Sequence, residues 1–98
     1  MLYITVMLYG KNGIQGEFKD YETKALNIFK QYGGEIIAAY RPIPGGPDTP
    51  DEIQILKIAG RAELDAFMND PARLAMAGER SQVIRRTDTF LSDEMVEY

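Results

Sequence analysis

Tyrosine and arginine, not histidine or cysteine, carry whatever chemistry this sequence offers. The chain of 98 residues has six tyrosines but no histidine, no cysteine and no tryptophan. It therefore has no imidazole base, no thiol nucleophile and no disulfide, and it lacks the His and Cys of haem ligation and of the usual zinc sites. Carboxylate-only metal sites remain chemically open, yet no EF-hand-like spacing occurs. Neither a metal nor an organic cofactor is expected. There is no nucleophile–base pair, phosphate-cradling glycine loop or cluster of carboxylates. Gly10-Lys11-Asn12-Gly13 precedes a helical pattern, as an anion-binding loop would, but it lacks the P-loop signature.

What remains are phenols and guanidinium groups. Tyr3, Tyr9 and Tyr40 fall on strand patterns, and Tyr21 and Tyr32 on a helical stripe. A buried phenol usually finds a hydrogen-bond partner, so phenols around a cavity could orient an aromatic or carbonyl compound. The plainer reading makes them core and interface aromatics whose hydroxyls reach solvent. Arg41 closes a strand directly after Tyr40, and Arg80 lies one position past a stripe of small residues. Either could hold a carboxylate or enolate through its planar fork. For Arg80 the plainer reading is an intrahelical or intersubunit ion pair. The ligand-binding candidates are therefore Tyr40, Arg41, Arg80 and Tyr21, with a site expected at the Tyr40–Arg41 strand end. Glu35 would be a base only if buried and is otherwise a solvated strand-start carboxylate. Asp70 reads as a helix cap, and Glu79-Arg80 and Arg85-Arg86 read as solvated charged surface.

The elements that must position these groups follow from periodicity. Leu2 to Tyr9 is a strand rich in β-branched and aromatic residues. Ile14, Phe18, Tyr21, Ala25, Ile28, Phe29 and Tyr32 recur at three- and four-residue steps, predicting a helix from about Gly13 to Tyr32. Asn12 is its candidate N-cap and Gly33-Gly34 its left-handed stop. Glu35 to Arg41 is a second strand. Pro42 to Asp51 contains four of the five prolines and is a loop. Ile53 to Ile58 is a third strand, and Ala62 to Asn69 a helix. Asp70-Pro71 starts a further helix, Asp capping and Pro standing at its first position. Leu74, Ala77, Gly78 and Ser81 form a small-residue stripe that would let this helix lie close on a sheet. Arg85 to Leu91 is a final, weakly alternating strand. One domain, residues 1–92, with an acidic tail at 93–98, is expected.

The order β-α-β-β-α-β suggests an α+β, ferredoxin-like plait with both helical segments on one face of an antiparallel sheet. The second face should then alternate towards polar residues if it met water. Instead, Tyr3, Met7 and Tyr9 oppose Leu2, Ile4, Val6 and Leu8. Ile36, Ala38 and Tyr40 oppose Ile37 and Ala39, and Ile53 and Ile55 oppose Leu56 and Ile58. An apolar patch of that extent is usually an interface, and a symmetric homodimer, sheet on sheet, is the simplest cover. The net charge of −4 and the scattered basic residues provide no face for nucleic acid. No run is long enough to span a membrane and no signal segment opens the chain, so a cytoplasmic protein is expected.

The strand at the start, the helix ending Tyr32-Gly33-Gly34-Glu35 and the later Phe67-Met68-Asn69-Asp70-Pro71 and Glu79-Arg80 resemble the dimeric α+β barrel superfamily. The likeness covers nearly the whole chain. It points to the superfamily's small bacterial domains of unknown function, and more distantly to NIPSNAP-like and antibiotic-biosynthesis-monooxygenase-like proteins. It implies a homodimer with a cavity between sheet and helices. Some such proteins oxidise or isomerise small aromatic or polyketide compounds without a cofactor. Others bind haem through a histidine that this chain lacks, and the loop from Pro42 to Asp51 is longer than typical. Two functions follow as expectations. One is a homodimeric module that binds a small organic metabolite without catalysis. The other is a cofactor-independent monooxygenase or isomerase acting on a small aromatic or carbonyl compound. The missing histidines favour the first, because general acid–base work most often draws on imidazole.

Overall fold

Alternation and periodicity become four strands and four helical segments in the computed structural model, which describes residues 1–11 and 15–98. The expected cap at Asn12, with Gly13 and Ile14, lies outside the described residues. The elements are β1 (Leu2–Gly10), α1 (Gln15–Gln31), β2 (Glu35–Tyr40) and β3 (Glu52–Ile58). They continue with α2 (Arg61–Met68), α3 (Pro71–Ala75), α4 (Ala77–Val83) and β4 (Ile84–Ser92). The strands form one antiparallel sheet in the order β2-β3-β1-β4, the α+β ferredoxin-like arrangement. Residues 93–98 follow β4 without regular structure. Among the described residues, no helix is long and apolar enough to cross a membrane.

The end of α1 is set by two glycines. Gly33 stands at φ +80°, a left-handed conformation that β-carbon-bearing residues disfavour. Gly34 donates its N–H to the Phe29 carbonyl at 3.2 Å, the closing bond of a Schellman stop. A Cβ at Gly34 would lie 2.3 Å from the Phe29 ring, so the chain turns directly over that side chain. Phe29 itself is 1% exposed and packs with Ile4, Leu56 and Ile58 beneath α1. Its ring meets that of Phe67 from α2 edge to face at 5.1 Å.

The second crossover departs from the expectation of one continuous helix after Asp70. Asp70 does cap α3, its Oδ1 accepting from Ala72 N and Arg73 N, and its Oδ2 accepts from the Tyr32 hydroxyl. The helix then breaks at Met76, which ends α3 and begins α4. The break shifts the helical phase. Leu74, Ala77, Gly78 and Ser81, expected to lie against the sheet, are exposed instead. Met76, Arg80 and Val83, spaced four and three apart, turn inward. Val83 joins Leu8, Phe18, Tyr21 and Ile84 in a second core cluster.

A bulge in β2 corrects the expected alternation there. Ile36 lies opposite Leu56 and Ala38 opposite Ile55, so two steps of β2 span one step of β3. Ile36 stays on the helix face while Ala38 and Tyr40 pass to the other. That far face carries Tyr3, Thr5, Met7, Ile53, Ile55, Ala38, Tyr40 and Phe90 by register. Tyr40 and Phe90 are 53% and 58% exposed. Among the described residues, only the corner at Tyr9 is covered. Its hydroxyl donates to the Asp48 carbonyl at 3.4 Å, and the guanidinium groups of Arg85 and Arg86 lie 5.2 and 4.7 Å from its ring centroid. Arg85-Arg86, expected as plain solvated surface, thus forms a cationic cover over a buried phenol.

Candidate functional site

Between the helix face of the sheet and the segments α1 to α4 lies a cavity of about 610 Å³. Its floor is apolar: Ile4, Val6 and Leu8 from β1 and Leu56 from β3. Its roof is Leu64 and Phe67 from α2 and Leu26 and Phe29 from α1. Into these walls project Tyr21 and Glu22 of α1, Gln54 of β3, Arg73 of α3, Arg80 of α4, and Thr87 and Thr89 of β4.

Glu22 is placed by helix geometry. It follows Phe18 by four residues and precedes Ala25 by three, so α1 aims it into the core with the apolar stripe. The residue is 8% exposed, and burial pushes its carboxyl up to about 7, with the Glu52 charge adding to the effect. The Gln54 hydrogen bond and the Arg80 charge pull in the opposite direction and are outweighed. Gln54, 2% exposed, donates from Nε2 to Glu22 Oε2 at 3.1 Å and to Glu52 Oε2 at 2.7 Å. Glu52 Oε1 in turn accepts from Arg41 Nε at 3.4 Å. A chain of polar groups therefore runs from the cavity to the sheet edge.

Arg80 is held differently. Its neighbour Glu79 bridges outward to Lys24 of α1 at 3.0 Å. Arg80 then turns towards β4 and donates from Nη2 to Thr87 Oγ1 at 2.7 Å. Among the described residues of this one chain it forms no ion pair, so the expected intrahelical bridge is not made. Burial raises the Tyr21 phenol, and the nearby Arg80 charge partly offsets this. The arrangement combines a carboxyl that changes charge near neutral pH with a cation and a phenol inside apolar walls. It can hold an anionic or carbonyl group and move a proton. Among the described residues, no group of three or more carboxylates is placed to hold a metal ion.

Of the four residues singled out in the sequence, the structure brings Tyr21 and Arg80 into this cavity. It sends Tyr40 to the opposite face of the sheet, because the bulge at Ile37 reverses the alternation before it. Arg41 lies at the sheet edge, more than half exposed, and reaches the cavity only through Glu52 and Gln54. The cavity thus lies under the helices, away from the Tyr40–Arg41 strand end. Glu35 is exposed and pairs with Lys57 at 3.0 Å. Glu22 and Gln54 escaped the sequence reading. Their signal was a polar residue on an otherwise apolar face, Glu22 within the α1 stripe and Gln54 beside Leu56 and Ile58 in β3.

No family model matches the chain, and neither does any curated protein. Solved structures do resemble it over almost its whole length. A NIPSNAP domain protein from Burkholderia xenovorans, described as uncharacterized, shares 14% identity with a TM-score of 0.74, over 97% of this chain and 95% of that one. A NIPSNAP family protein of unknown function from Agrobacterium tumefaciens shares 18% identity with a TM-score of 0.70, over 94% and 86%. A Dabb family protein with a ferredoxin-like fold from Mesorhizobium loti shares 16% with a TM-score of 0.70, over 97% of each. At these identities the likeness is one of fold. The chain has the fold of NIPSNAP-domain and Dabb-family proteins, as the sequence resemblance implied.

Proposed function

We propose that this protein binds a small organic metabolite in the cavity beneath its helices and works as a homodimer whose two copies cover each other's open sheet face. One observation carries the binding reading: a cavity of about 610 Å³ with mostly apolar walls that nonetheless admits Glu22, Gln54 and Arg80. Apolar walls with a few convergent polar groups are the usual build of a metabolite pocket. A thermal-shift panel of small acids, aldehydes, ketones and phenols tests it. At least one class raises the melting temperature by mass action, and Thr89→Trp, which narrows the cavity from the exposed side of β4, removes the shift. A panel that leaves the wild type unmoved overturns the reading.

The dimer is supported by the apolar far face, where Met7, Ile53, Ile55, Tyr40 and Phe90 lie together with no covering helix among the described residues. A twofold axis sets such a patch on its own copy, and the dimeric α+β barrel resemblance favours the same arrangement. Sedimentation at micromolar concentration separates dimer from monomer, and a clean monomer refutes the pairing.

The buried Glu22 carboxyl, titrating at about 7, favours a second reading: a cofactor-independent isomerase of small aromatic or carbonyl compounds. In that reading Glu22 takes a proton from the carbon beside a carbonyl, Arg80 holds the enolate oxygen, and the proton returns to another carbon. A base with a pKa near the working pH suits this step. Cofactor-independent oxygenation would begin with the same abstraction and then consume O2, which would be reduced as the carbanion is oxidised. Deuterium uptake from D2O into a bound compound, with O2 followed in parallel, distinguishes the two. Glu22→Gln stops the uptake while binding persists; binding with no exchange leaves the non-catalytic reading standing.

A further inference from the structure

We infer that the cavity selects a monocarboxylate with an apolar body, its carboxylate lying on Arg80 and the Tyr21 phenol and its body against Leu26, Phe29 and Leu56. The inference rests on the reading of the cavity as a small-molecule site and goes on to name the ligand's chemistry.

Three observations converge on it. First, the protein carries a net charge of −4, yet two of its arginines line the cavity without a carboxylate partner among the described residues. Arg73 stacks on Phe67 at 5.3 Å and donates to the Met68 carbonyl, while Arg80 rests only on the Thr87 hydroxyl. A half-buried guanidinium with a single neutral partner keeps donors free for an acceptor, and a carboxylate meets its planar fork with two parallel bonds. Secondly, Tyr21 is 5% exposed and lines the same cavity as both arginines. Its hydroxyl has no hydrogen-bond partner among the described residues. Thirdly, the buried carboxyl lining this cavity, Glu22, is engaged by Gln54 and forms no ion pair with Arg80. Once ionised, Glu22 would repel a dianionic phosphate more strongly than a monocarboxylate, and among the described residues no glycine-rich loop lines the cavity.

Matched probes test this on the intact protein by calorimetry. Phenylacetate and hexanoate are compared with phenylacetamide and hexanamide, which keep the shape without the charge, and with phenylphosphonate. The acids bind, and the amides bind about tenfold more weakly or worse. Arg80→Gln loses the difference between acid and amide, Arg80→Lys keeps part of it, and Thr87→Val weakens acid binding severalfold. Unchanged circular dichroism and amide binding in these variants separate lost recognition from lost folding. Equal binding of acid and amide, or acid binding untouched by Arg80→Gln, overturns the inference and leaves the cavity reading intact. Tighter binding of phenylphosphonate overturns the choice of carboxylate. If neither acid nor amide binds the wild type, the inference falls, while the cavity reading stands or falls on the thermal-shift panel.

Discussion

The amide nitrogen of Gln54 stands between two carboxylates, 3.1 Å from Glu22 Oε2 and 2.7 Å from Glu52 Oε2, and so joins the core to the sheet edge. Both N–H bonds of that amide are used. Glu22 is thereby fixed in a site where burial favours its neutral form.

Stability should consequently fall as pH rises from about 4.5 to about 7 and level off above that. Glu22 titrates at about 7 in the fold and near the ordinary 4.5 when unfolded. A carboxyl raised in this way binds more protons folded than unfolded between those values. Its contribution is complete below the unfolded value and is lost as pH passes the folded one. The span corresponds to about 3 kcal/mol. Glu22→Gln removes this dependence, so the variant should match or exceed wild-type stability at pH 8, while the two curves converge towards pH 5. Urea melts across that range measure it; parallel curves for the two proteins would show that Glu22 titrates normally.

Gly34→Ala should destabilise the fold more than Gly33→Ala. At Gly33 the cost is the left-handed backbone alone, about 1–2 kcal/mol. At Gly34 the new methyl meets the Phe29 ring, which is rigid and packed on all sides. Overpacking at such a contact costs about 1–3 kcal/mol or more. Phe29→Leu, which shrinks the ring, should recover part of the loss in the double variant. Additive losses would place the strain elsewhere.

Ile55→Asp should leave the helix-face core intact and separate the proposed dimer. The side chain lies on the far face between Thr5 and Ala38, away from both core clusters. A buried unpaired carboxylate at an interface is strongly unfavourable. Sedimentation should give a monomer with unchanged far-ultraviolet circular dichroism, whereas a dimer that survives the change would exclude this face as the contact.

Lys24→Ala should cost little, about 0.5 kcal/mol, although its bridge to Glu79 joins α1 to α4. The two side chains remain 58% and 34% exposed, and ion pairs in that setting are screened. A loss several times larger by thermal melting would show that the bridge, and not the packing of Val83, holds α4 in place.

The order of elements was legible because β1 alternates, α1 keeps one stripe over four turns, and Gly33-Gly34 and Asp70-Pro71 mark where segments end and begin. Two local features escaped. The bulge at Ile37 is fixed by pairing with β3, so nothing in β2 alone announces it, and Tyr40 changed faces as a result. The break at Met76 falls inside a helix-forming run without proline and inverts which side of α4 faces inward. Tyr21 and Arg80 were within reach from residue type and position. Glu22 was not singled out, because a lone carboxylate in an apolar stripe reads as an exception to the pattern, whereas here it marks the cavity.

The break at Met76 also bears on how anything enters. Beside the long α1, the roof is built from helices of eight, five and seven residues in place of one continuous rod. Helices this short are marginal by themselves, while the floor is two central strands paired on both sides. Local opening should therefore occur in the roof piece by piece, with amide hydrogens of α2 to α4 exchanging with solvent well before those of β1 and β3. Any compound entering the proposed site would meet these short helices on one side and the fixed sheet on the other.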